Sequence, residues 1–258
     1  MKIKTSIALI SASLISLFST SISAETIKVG IATEPYPPFS VPDASGNYNG
    51  WEIDIAKAIC AQAQLDCKIV ATAWDGIIPA LLSKKIDVVA ASLSITADRK
   101  RVIDFSDKYY QSGASIIGSK KANFGSSPNE LNNKIIGLQA ASIHVKFAKK
   151  YYPDATIKEY QSQDEANQDL YSGRIDATQA DALTLESFLN SEQGKNCCDL
   201  KGMAVNDEAL LGEGIGFGLR KGNPELKEKL NHAIKAIREN GTYEQVSQSY
   251  FSFNIYGE

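Results

Sequence analysis

Histidine is scarce in this chain: His144 and His232 are the two it has. No zinc-type spacing of Cys or His surrounds either one, which argues against a structural metal site. The common catalytic signatures are also missing. There is no Gly-x-Ser-x-Gly elbow, no Walker loop and no His-Glu-x-x-His. The glycines of residues 212–218 alternate with larger residues, as in a strand packed closely on a neighbour rather than a phosphate loop. No segment after residue 24 is long and apolar enough to span a membrane. Basic residues form no stripe and the net charge is −3, which excludes nucleic acid as a partner class. Nothing calls for a cofactor.

What is present begins with a leader. Lys2 and Lys4 precede an apolar run over residues 7–18, and small residues follow up to Ala24. That order reads as a secretory signal peptide, residues 1–24, cut after Ala24. No cysteine stands at the cut. The expected mature chain, 25–258, lies in an exported, oxidising compartment where cysteines can pair. Cys60 and Cys67, at a helix end and a strand start, can bridge locally. Cys197 and Cys198 are adjacent, and their state stays open between a strained bridge and two thiols.

Short β-branched runs alternate with amphipathic stretches, which predicts an α/β fold. Strands are expected over 26–32, 67–71, 87–91, 134–138, 156–160, 175–179 and 213–220. Helices are expected over 51–63, 75–84, from 97, and over 143–151, 164–172, 182–190, 224–239 and 242–250. Pro79 is a mild objection to the second helix. Two strand-helix-strand-helix-strand units emerge, each with an Ile-Asp strand entry, Lys85-Ile86-Asp87 and Arg174-Ile175-Asp176. Helices left over after the second unit predict that the tail returns to the first. Lobe one is then 25–111 plus 207–258, and lobe two is 115–204.

Candidate ligand devices sit where strands end, the edge at which open α/β sheets bind ligands. Ser92, Ser94 and Arg99 lie between a strand and a helix. Backbone amides there favour an anion, and a guanidinium can grip a carboxylate with two bonds. Residues 137–144 repeat the arrangement, with Ser142 at an N-cap position. Asp181 follows the third strand of the second unit and offers an ammonium site. A carboxylate and an ammonium on one ligand make an α-amino acid. Taken singly, each device reads equally as an ordinary helix cap.

The residues that carry a family resemblance are Thr33 to Phe39, Gly50 to Ile55, Ser92 to Thr96 with Arg99, Gly173 to Asp176 with Asp181, and Gly241-Thr242-Tyr243. Along nearly the whole mature chain the sequence resembles the polar amino-acid binding proteins of ABC importers, the lysine/arginine/ornithine-binding type of bacterial solute-binding protein family 3. The resemblance implies a two-lobed periplasmic binding protein fold with a hinge of two crossing segments. It implies a periplasmic, monomeric receptor without direct membrane insertion, serving a membrane permease. It places the ligand carboxylate on Arg99 and the α-ammonium on Asp181, with Ser92, Ser94, Ser142 and the chain at Ala91, Gln139 and Ile143 adding bonds. Tyr36 and Trp74 would sandwich the side chain, and Glu34 would face its far end. Cys60 and Cys67 match the family's local disulfide. Departures are Ala91 for a serine, Ile143 for a threonine, and a first loop one residue shorter. A planar guanidinium stacks well on aromatic faces, so arginine is expected first, then lysine, ornithine and histidine. Glutamine is the rival ligand. The alternative function is a cyclohexadienyl or arogenate dehydratase on the same scaffold, needing an acid aimed at a leaving group.

Overall fold

The computed structural model describes residues 26–257. The expected signal peptide and its cut lie outside them. The first part of the chain forms β1 (Thr26–Ala32), β2 (Val41–Pro42), β3 (Tyr48–Asn49), α1 (Trp51–Gln62), β4 (Asp66–Thr72), α2 (Ile77–Leu82), β5 (Val88–Val89), α3 (Ala97–Val102) and β6 (Asp104–Tyr110). The middle forms β7 (Ala114–Ser119), β8 (Ile135–Gln139), α4 (Ile143–Tyr151), β9 (Thr156–Tyr160), α5 (Gln163–Tyr171), β10 (Ala177–Asp181), α6 (Ala182–Asn190), α7 (Glu192–Cys197) and β11 (Cys198–Met203). The chain closes with α8 (Glu208–Leu211), β12 (Ile215–Leu219), α9 (Pro224–Glu239) and α10 (Thr242–Ser247).

These elements build two five-stranded sheets, ordered β4-β1-β5-β12-β6 and β11-β7-β10-β8-β9. Read from β4 and from β9, the two orders correspond strand for strand. In each, the first parallel strand lies between the second and third, and the fourth runs antiparallel. The chain passes between sheets over residues 111–113 and again over 204–214. The result is a two-lobed periplasmic binding protein fold. Apolar side chains cover both faces of each sheet, as a sheet flanked by helices on both sides requires. In α9, Leu226, Leu230, Ala233, Ile234 and Ile237 recur at helical spacing and are buried. No described helix is long and apolar enough to cross a membrane.

The structure revises several element boundaries. β6, β7 and β11 were not read from the sequence. β6 and β11 are edge strands, and their interleaved charges keep an edge from pairing with other chains. β5 holds two residues rather than five. β10 lies two residues later than expected, so Asp181 ends the strand instead of following it. The helix expected over 75–84 splits into a tight turn, Trp74–Gly76, and α2. Pro79 falls in the first turn of α2, where its missing N–H costs no helical bond. The alternating glycines do form a strand: a Cβ at Gly216 or Gly218 would come within 2.8 Å of Ile95 or 2.9 Å of Leu93.

Cys60 and Cys67 are joined, tying the end of α1 to β4. Cys197 and Cys198 are bonded to each other where α7 meets β11. Of the two states left open, the structure contains the bridge.

Candidate ligand site

The carboxyl ends of the parallel strands of both sheets face one cleft of about 580 Å³, the space open to solvent included. β1 delivers Glu34 and Tyr36 beyond its end, β4 delivers Trp74, and β5 delivers Ala91, Ser92 and Ser94. Arg99 comes from the first turn of α3. From the other sheet β8 ends on Gln139, Ser142 and Ile143 open α4, and β10 ends on Asp181. All eleven candidates line this cleft.

Thr96 caps α3 through its hydroxyl, which accepts the Arg99 N–H. Arg99 Nη1 donates to the Ser94 carbonyl at 3.0 Å, and its guanidinium lies 5.5 Å over the Trp74 ring. Burial lowers its pKa to about 10, with Asp181 acting in the opposite sense, so it is a cation at neutral pH. Ser142 occupies the N-cap position of α4 but makes no side-chain cap. Its Oγ is buried without a partner. A buried hydroxyl left unbonded is costly, and a ligand oxygen would satisfy it.

Asp181 is 6% exposed. It stands at the N-cap position of α6 yet makes no side-chain cap. Instead Oδ2 accepts from the Tyr36 hydroxyl at 2.9 Å, and Oδ1 lies 3.5 Å from His144 Nε2. The Trp74 indole N–H donates across the cleft to the Ala140 carbonyl at 3.1 Å. Glu34 Oε2 accepts the Trp74 backbone N–H at 3.0 Å. Both aromatic rings therefore line the cleft with their polar groups already engaged.

Six further residues line the cleft: Ala32, Ser40, Glu52, His144, Gln163 and Ala180. Glu52 is the chemically important one. Its position follows from Gly50, whose φ is 132° and where a Cβ would meet the Phe39 carbonyl at 2.4 Å. That close approach lets Trp51 and Glu52 donate their N–H groups to Pro38 and Phe39, which starts α1 against the cleft. Burial raises the Glu52 carboxyl to about 7, against the opposing bonds from Tyr109 and Ser92. The signal in the sequence was an acid in a helix's first turn, which ordinarily reads as a solvated end. His144 is buried as well; its Nδ1 contacts Gln179 Nε2 at 3.2 Å, and Gln179 Oε1 takes the Tyr152 hydroxyl at 2.7 Å. His144 Nε2, on the other side of the ring, faces Asp181.

The cleft thus opposes one guanidinium, Arg99, to three carboxyl groups, Glu34, Glu52 and Asp181. A zwitterion's own charges answer Arg99 and Asp181. The remaining acids favour a positive group on the rest of the ligand.

The model of bacterial extracellular solute-binding proteins, family 3, matches residues 27–253. The chain belongs to this family. It is 38% identical to the L-arginine-binding protein of Pseudomonas aeruginosa, over 97% of this chain and 98% of that one. It is 36% identical to the lysine/arginine/ornithine-binding periplasmic protein of Escherichia coli, over 91% of this chain and 90% of that one. Among solved structures, an ancestral arginine-binding protein bound to arginine superposes with a TM-score of 0.79 at 36% identity, covering 88% of this chain and 98% of that one. All three of these proteins are named for binding basic amino acids.

Proposed function

We propose that this chain is the soluble substrate-binding component of an ABC amino-acid importer, and that it captures a basic L-amino acid, arginine before lysine, ornithine and histidine. The observation that carries the reading is the excess of acid in the cleft: after the α-groups are matched, Glu34 and Glu52 remain for a cationic side chain. The binding partners named for the relatives agree with it. Arg99 holds the ligand carboxylate together with the free Ser142 hydroxyl and the chain at Ser92 and Ser94. Asp181 holds the ammonium. Tyr36 and Trp74 flank the side chain, and Glu34 meets its end.

The reading extends to the whole protein. Residues 1–24 direct export and are cut after Ala24, leaving a periplasmic monomer. Residues 25–111 and 207–258 form one lobe and 115–204 the other, closing on ligand and presenting the closed form to a membrane permease. The protein acts by binding and carries out no turnover. Calorimetry of the ligand-stripped protein against the common amino acids tests this, with arginine expected to bind tightest. Glutamine as the tightest ligand overturns the choice of a basic amino acid. Turnover of prephenate or arogenate overturns the assignment as a pure binder.

A further inference from the structure

Glu52 is 1% exposed and lines the cleft, yet no ion pair among the described residues involves it. Its Oε1 accepts two fixed donors, the Ser92 N–H at 2.7 Å and the Tyr109 hydroxyl. Its Oε2 faces the Ser92 hydroxyl at 3.3 Å. A hydroxyl can donate or accept. A proton on Oε2 can therefore be given to Ser92 Oγ without loss of either bond on Oε1. The carboxyl has a hydrogen-bonded place for itself in both protonation states.

The surroundings decide which state holds. β6 presents Tyr109 and Tyr110, both neutral and buried. Asp181 adds a like charge from β10 across the cleft. Arg99, Glu34, Tyr36 and His144 line the same space, and Arg99 is the one arginine or lysine among the residues that do. A second buried anion beside Asp181 costs free energy until another cation arrives. We propose that Glu52 trades a proton for the cationic side chain of the bound amino acid, being largely protonated in the empty cleft below neutral pH and ionised in the complex. The proton leaves Oε2 for solvent as the ligand's positive group enters. Burial, which pushes the carboxyl up to about 7, puts the exchange within the neutral range. This inference rests on the basic-amino-acid reading above.

The sign follows from linkage. The complex binds fewer protons than the empty protein, so affinity for a cationic ligand rises with pH. From pH 6 to pH 8 the gain is about tenfold for a carboxyl that titrates near neutrality. A neutral side chain such as glutamine's supplies no charge, and its affinity is flat over the same span.

Calorimetry of the intact, ligand-stripped protein at pH 7, in two buffers of different ionisation enthalpy, counts the protons. Arginine is expected to release about half a proton per site, and glutamine none. Glu52→Gln removes the release and flattens the pH profile for arginine. Should that variant fail to fold, the contrast between arginine and glutamine in the unaltered protein decides. Tight arginine binding with no proton release overturns the exchange, as does a release that persists in Glu52→Gln. Failure of arginine and lysine to bind at all is a separate result, which removes the reading of the ligand and the exchange with it.

Discussion

Asp181 and Glu34 are both acids at strand ends, but their surroundings give them different tasks. Asp181 is buried, with Tyr36 on one oxygen and His144 near the other. On the proposed reading this carboxylate receives the ammonium that every amino acid carries. Asp181→Asn is therefore expected to weaken arginine and glutamine alike, by about 30-fold or more, the usual loss for a buried charge partner. Calorimetry on both ligands checks it, and a loss confined to arginine contradicts the assignment. Glu34 is partly exposed, and Trp74 occupies one of its oxygens. Glu34→Gln should cut arginine affinity by about tenfold, consistent with a charged hydrogen bond of roughly 1.5–3 kcal/mol, while glutamine stays within a few-fold. Equal arginine affinity in both proteins would remove Glu34 from the specificity argument. Arg99, Ser142 and Asp181 were legible in the sequence because each stands where a strand gives way to a helix. Glu52 was not, since its place depends on the backbone approach at Gly50, which no local pattern displays. His144 stood out only as one of two histidines, because its facing of Asp181 depends on a contact with Gln179 of β10.

Elements repeat between the lobes more closely than the sequence suggests. The Ile-Asp entries serve one purpose: Asp87 accepts the Lys28 N–H at 3.0 Å, and Asp176 accepts the Ile135 N–H at 2.8 Å. Each aspartate ties the start of its sheet's first strand to the third. The inner parallel strands β1 and β8 were readable because their buried residues form dense apolar runs. Of the edge strands, β4 and β9 were read, whereas the antiparallel β6 and β11, with charges among their apolar residues, were not. β10 instead runs on to Ala180 and Asp181, both buried, and hydropathy alone does not announce a buried aspartate as the end of a strand. The bridge between α1 and β4 closes a loop of seven residues' separation. Replacing Cys60 and Cys67 together by serine should lower stability by about 2–3 kcal/mol, the loop-closure value for so short a ring. Urea melts should show a lower midpoint with a similar slope. An unchanged midpoint would mean that the bridge leaves the unfolded chain as free as it was.

At the scale of the molecule, the contacts across the cleft set what ligand has to do. Polar contacts among the described residues that span it include Tyr36 to Asp181, Trp74 to the Ala140 carbonyl, and Lys146 to Asp98. The last is an exposed pair and contributes little in salt. The other two lie against the ligand space, so they act only when the lobes are close. Two hydrogen bonds, each worth roughly 0.5–1.5 kcal/mol net, do not by themselves outweigh the hydration of an open cleft lined by Arg99 and three acids. A ligand that bridges Arg99 on one side and Asp181 on the other adds contacts present only in the closed form, and it shifts the population by that difference. Small-angle scattering should therefore show a smaller radius of gyration when arginine saturates the protein. Trp74→Phe keeps an aromatic face for Arg99 but deletes the donor to Ala140. It should weaken arginine several-fold while leaving the compact state reachable at saturation. A scattering profile unchanged by saturating arginine in the unaltered protein would rule out hinge closure. An unchanged affinity in Trp74→Phe would show that the bond to Ala140 is replaced by water at no cost, leaving the Trp74 ring alone as that residue's contribution to binding.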